Sequence, residues 1–90
     1  MSKKRIHQVV RQNQYEFSMH ALEEMDDDEL LETDIHHVLL HGDIVAKLTE
    51  DERGMRLVIR GISVGKEIEV VCRFLSSGWL RIITTYIVDR

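Results

Sequence analysis

From residue 44 onward, apolar residues recur with a period of two in four runs, Ile44 to Leu48, Leu57 to Ile62, Ile68 to Leu75 and Leu80 to Val88. That period belongs to β-strands, whose alternate side chains face a core. The segments between the runs are short and each contains glycine: Glu50-Asp51-Glu52-Arg53-Gly54, Ser63-Val64-Gly65-Lys66 and Ser76-Ser77-Gly78. Turns of this kind join consecutive strands as antiparallel hairpins, and the absence of proline raises no objection to any strand. The second half of the chain is therefore expected to be a four-stranded antiparallel meander.

The first half changes to a helical period. Ile6, Val9 and Val10 recur at helical spacing in a basic segment, which predicts an amphipathic helix over residues 3–13 with Asn13 as its stop. Tyr15-Glu16-Phe17 suits a brief strand, and Ser18 is placed to cap a helix from Met19 to about Asp27 with Ala21, Leu22 and Met25 on its apolar stripe. Asp26, Asp27 and Asp28 oppose the dipole at its end and favour early termination. Thr33 or Asp34 is the expected cap of a further helix that buries Ile35, Val38 and Leu39 and closes on a left-handed Gly42. The helices have stripes to bury and the sheet has a face to cover, so the fold class is α+β in two layers. The organisation is a basic N-terminal helix over 1–14 followed by a single domain over 15–90.

Ninety residues support one core, so an active site must lie on it or between identical subunits of a homodimer. No run of eighteen apolar residues exists, and the start of the chain leads into His7, Gln8, Arg11 and Gln12 where a signal peptide would be hydrophobic. A cytoplasmic protein with no membrane partner is expected. Cys72 is the only cysteine and lies in an apolar run, which excludes a disulfide scaffold and predicts a buried thiol of raised pKa. The net charge of −4 is unevenly spread: eight of the sixteen acidic residues fall between Glu23 and Asp34, with no Lys or Arg among them. The remainder is net positive, which leaves nucleic-acid binding open.

Strand parity adds a clue. In the run from Leu57, the apolar face takes Leu57, Ile59 and Gly61, leaving Arg56 and Arg60 on the other; in the next, Ile68, Val70, Cys72 and Phe74 leave Glu69 and Arg73. Arg60 and Arg73 on one side of paired strands can clamp a phosphate, or they can solvate the outer face and pair with Glu67 or Glu69. The last run is apolar on both parities, so Tyr86 is not assigned to a face. Trp79, at a hairpin tip, can stack on a base or a partner, or cover the sheet edge. His37 and His41 stand at i and i+4, a spacing that chelates zinc only with a third ligand; no Cys-x-x-Cys or His-Glu-x-x-His accompanies them, so neither metal nor cofactor is expected.

At Tyr15-Glu16-Phe17-Ser18-Met19-His20-Ala21, Met25, Thr33-Asp34-Ile35 and Leu39-Leu40-His41-Gly42-Asp43-Ile44-Val45, the chain resembles a domain-of-unknown-function family related to RelE- and BrnT-like ribonuclease toxins. Arg60-Gly61, Gly65-Lys66, Ile68-Glu69-Val70-Val71 and Ile82-Ile83-Thr84-Thr85-Tyr86 continue the likeness. It departs near Met25, where the family often carries arginines and this chain has Glu24 and Asp28. The resemblance implies a RelE/BrnT-like fold and the toxin of a type II toxin–antitoxin system, cleaving RNA without metal and paired with a small DNA-binding antitoxin. Such cleavage needs a group to take the 2′-hydroxyl proton, an acid for the leaving oxygen and cations for the phosphate. His20, in the first turn of a helix whose dipole disfavours imidazolium, is the candidate base, the alternative being a helix-start histidine whose ring caps or packs locally. Tyr86 is the candidate acid on resemblance alone, with Arg60 and Arg73 binding the substrate. The alternative is a non-catalytic module that binds protein through the acidic helical region.

Overall fold

A computed structural model describes residues 3–49 and 54–88. Helix α1 (Lys3–Arg11) buries Ile6, Val9 and Val10. It stops at Asn13, whose φ of 55° is a left-handed conformation asparagine tolerates, with the Gln14 N–H donating to the Val9 carbonyl at 2.8 Å. Strand β1 (Tyr15–Phe17) runs into helix α2 (Met19–Asp27), where the Ser18 hydroxyl accepts from the Ala21 N–H at 3.0 Å. Helix α2 closes with Glu29 at φ 57° and the Leu30 N–H bonded to the Met25 carbonyl at 2.8 Å.

Helix α3 (Glu32–His41) departs from expectation at both ends. Its N-cap is Leu31, and neither Thr33 nor Asp34 holds that place. Asp34 acts from inside the first turn: its carboxylate accepts the Leu31 N–H at 2.8 Å and the Ser63 hydroxyl at 2.8 Å, tying the helix start to the sheet. Gly42 ends the helix at φ −81°, outside the left-handed region. Its requirement is space, because a Cβ there would stand 2.5 Å from the Arg60 carbonyl oxygen and 2.7 Å from that of Val38.

Strands β2 (Asp43–Leu48), β3 (Arg56–Ser63), β4 (Lys66–Phe74) and β5 (Leu80–Ile87) form the expected antiparallel meander. The segment 50–53 of the first connection lies outside the described residues. The second is a two-residue turn with Val64 at φ 48° and Gly65 at φ 75°. The sheet is nevertheless five-stranded and mixed, in the order β1-β5-β4-β3-β2. The extra strand is β1, which pairs in parallel with β5, Tyr15 opposite Leu80 and Phe17 opposite Ile82. Local alternation shows that such a strand exists but carries no information about a partner near the other end of the chain.

Register determines which face each side chain takes. Tyr15 and Phe17 in β1, Leu57 and Ile59 in β3, Ile68, Val70 and Cys72 in β4, and Leu80 and Ile82 in β5 all join one core with the buried stripes of the three helices. The helices thus cover one face of the sheet, and α1 contributes to the same core as everything that follows it. No described helix is long and apolar enough to cross a membrane.

Candidate nucleic-acid interface

No described element covers the opposite face of the sheet, and two rows of side chains cross it. In the first, Arg60 of β3, Glu69 of β4 and Tyr86 of β5 are register partners. The Glu69 carboxylate takes both neighbours: Arg60 donates from Nε at 2.7 Å and from Nη2, and the Tyr86 hydroxyl donates at 2.5 Å. In the second row Arg56, Arg73 and Arg81 lie opposite one another on β3, β4 and β5, and Glu16 of β1 ends the line in an ion pair with Arg81. Adjacent strands are about 4.8 Å apart, so three guanidinium-bearing residues fall across two strand spacings.

Between the rows lie Val58 and Val71, buried although they point away from the helices. Each sits between long side chains of its own strand, Arg56 and Arg60 for Val58, Glu69 and Arg73 for Val71. Arginine stems cover apolar neighbours in this way while their heads stay in water. The face therefore combines a small apolar strip with cationic flanks.

The charges of the first row are locked. The Tyr86 hydrogen bond, followed by the Arg60 contacts, holds the Glu69 carboxyl below its ordinary range against the opposing effect of burial. Glu69 in turn raises the pKa of Tyr86, by accepting its proton in a hydrogen bond and then through burial and charge. Arg60 is held all the more firmly as a cation by the same carboxylate. Both Glu69 oxygens are occupied, so this group orients its neighbours better than it would accept a proton. Arg60 keeps further N–H donors on a side chain 44% exposed, and Tyr86 is 39% exposed. A groove of about 520 Å³ opens beside Arg60, lined also by His41, Asp43 and Glu67.

Of the four residues singled out from sequence, the structure brings Arg60 and Tyr86 together through Glu69 and places Arg73 in the neighbouring row. His20 is elsewhere. It stands in the first turn of α2, a helix that packs Ala21 and Met25 into the core, with Nε2 3.5 Å from a Glu24 carboxylate oxygen, whereas the other three lie on the face of the sheet turned away from that core. The pairing of Arg60 with Glu69 is one of the two readings the sequence offered, whereas sequence reasoning missed the bond from Tyr86 to Glu69 and the membership of Arg81. The latter was readable, because Arg81 alternates with the core residues Leu80 and Ile82.

Other candidates resolve simply. Burial pushes the Cys72 thiol up to about 12, so it packs as an apolar group. The rings of His37 and His41 lie 4.5 Å apart, and no described group of three or more His, Cys, Asp or Glu is arranged to hold a metal. Trp79 is 40% exposed at the hairpin between β4 and β5.

These features define an α+β domain with helices on one side of a mixed sheet and an arginine-bearing surface on the other. The chain belongs to the family described as Domain of unknown function (DUF4258), whose profile matches residues 17–87. Among curated proteins and solved structures, no significant match is found.

Proposed function

We propose that this domain binds RNA through the uncovered face of its sheet, as the RNA-engaging body of a ribonuclease-like toxin. The observation that carries the reading is the alignment of Arg56, Arg73 and Arg81 across three strands beside the Arg60–Glu69–Tyr86 group. Arginines meet phosphates with a planar fork of donors, and an exposed tyrosine ring offers a stacking surface that tolerates any base. A sheet face is suited to single-stranded RNA, whose unpaired bases can lie flat on it. Within this reading the resemblance assigns a small DNA-binding antitoxin as the partner.

Binding is better supported than cleavage. Metal-independent cleavage by the scheme drawn from the sequence requires His20 within hydrogen-bonding reach of the phosphate held by Arg60, and His20 sits across the sheet. Tyr86, its proton held by Glu69, is a weak acid for the leaving oxygen.

Fluorescence anisotropy with a labelled single-stranded RNA tests the proposal. Binding should weaken with salt, with a slope of log K against log salt of about −0.7 per phosphate contacted. Arg73→Ala and Arg81→Ala should each weaken binding and reduce that slope. An absence of binding at low salt, or affinity indifferent to both substitutions, would overturn the proposal. Incubation of the same RNA with excess chelator tests cleavage separately: loss of cleavage in Tyr86→Phe but not in His20→Ala would place the chemistry on the sheet face.

A further inference from the structure

The helical layer presents a second surface of opposite character. Met19, Leu22 and Leu31 are large apolar side chains left 73%, 41% and 66% exposed. Leu22 and Leu31 border a groove of about 280 Å³ between α2 and the start of α3, with Met25 and Leu30 also lining it. Met19 lies one turn before Leu22 on α2 and extends the apolar line beyond the groove. Asp26 and Glu32 line the groove, Glu23, Asp27 and Glu29 are exposed elsewhere on α2 and the turn that closes it, and no Lys or Arg occurs from residue 23 to residue 34.

We propose that this groove is the docking site for a basic amphipathic helix of a second protein. The apolar residues supply anchors for a stripe of aliphatic side chains, and the acidic surround selects lysine and arginine on the flanks of that helix. Charge decides against other occupants. Nucleic acid and anionic membrane surfaces are repelled by the carboxylates that attract a cationic peptide. The basic amphipathic helix of a second copy, α1, is unsuited because Ile6, Val9 and Val10 are already buried in its own core. The groove belongs to the covered side of the sheet, so its occupant leaves the arginine rows open, and the proposal stands independently of the RNA reading.

The test uses the full chain and a synthetic peptide about four turns long, with leucine on one helical stripe and lysine or arginine elsewhere, followed by fluorescence anisotropy. Saturable binding that weakens with salt is expected. A permuted peptide of the same composition should bind at least about tenfold more weakly, as should the original peptide to a Leu22→Glu, Leu31→Glu double variant, a loss of at least about 1.4 kcal/mol in each case. Both leucines are exposed, so the variant should keep the wild-type circular dichroism spectrum and its affinity for single-stranded RNA. Absence of saturable binding, equal binding of the permuted peptide, or undiminished binding by the folded variant would overturn the proposal.

Discussion

The backbone of Gly42 meets that of Arg60 with no room between them: a Cβ on Gly42 would stand 2.5 Å from the Arg60 carbonyl oxygen. Gly61, the next residue of β3, reciprocates, since a Cβ there would lie 3.1 Å from the Gly42 Cα. The end of α3 is thus seated on the strand that presents Arg60. Neither obstacle is a flexible side-chain tip, so Gly42→Ala must displace main chain. It should destabilise the fold by about 1–3 kcal/mol, read as a lowered denaturation midpoint, and should weaken RNA binding by shifting Arg60.

Val64 offers the opposite opportunity. It is a β-branched residue at φ 48°, 71% exposed, in a two-residue turn ahead of Gly65. Left-handed backbone costs such a residue about 1–2 kcal/mol, and its exposure means little burial compensates. Val64→Asn creates the Asn-Gly pair such turns favour and should raise stability by about 1 kcal/mol, measured by urea denaturation. An unchanged or lowered midpoint would show the strain to be absent.

Asp34 joins two parts of the fold through one carboxylate. Asp34→Ala leaves the Leu31 N–H and the Ser63 hydroxyl without their acceptor. The expected loss is about 2 kcal/mol. Asp34→Asn, which keeps an acceptor oxygen, should recover part of it, and equal loss in both variants would make the negative charge the essential element.

The Arg60–Glu69–Tyr86 group sets a pH window. Glu69 has a folded pKa below its ordinary 4.5, so its contribution is present above that value and is lost as pH falls through the lower folded value. Tyr86 has a folded pKa above its ordinary 10.0, so its contribution is present below 10.0 and is lost as pH rises through the higher folded value. Stability measured across pH should decline at both extremes, with the acid limb shallower in Glu69→Gln and the alkaline limb shallower in Tyr86→Phe. Unaltered limbs would show the group to be energetically idle.

His7 acts at milder acidity. Burial, then the charges of Arg11, Lys3 and His41, lowers its pKa from 6.5. Its neutral form is the one the fold favours, so stability should begin to fall as pH drops below 6.5 towards the lower folded value. His7→Gln should remove that early decline while leaving the Glu69 limb in place.

Much of the architecture is legible in the sequence because its causes are local. Ser18 caps α2, Asn13 ends α1, and the alternation of β3 and β4 correctly sets Arg56, Arg60, Glu69 and Arg73 opposite the core. Tyr86 was unreadable for a specific reason: the pairing of β4 with β5 slips between Val71 opposite Thr84 and Cys72 opposite Ile82. That irregularity leaves Ile83 without a direct register partner and reverses the parity of everything after it, so a strand apolar on both parities conceals a regular inward and outward pattern. The parallel pairing of β1, and hence the separation of His20 from Arg60, depends on contacts between distant parts of the chain that no local period encodes.

The placement of β5 between β1 and β4 governs the order in which the molecule can be assembled. During synthesis the segment that bridges the sheet emerges long after β1, so β1 must wait for residues 80–82 before it has a neighbour. A nascent chain lacking them exposes the apolar stripes of its helices to the cell. Productive folding therefore follows completion of β5, and a message truncated before it yields a polypeptide suited to proteolysis rather than function.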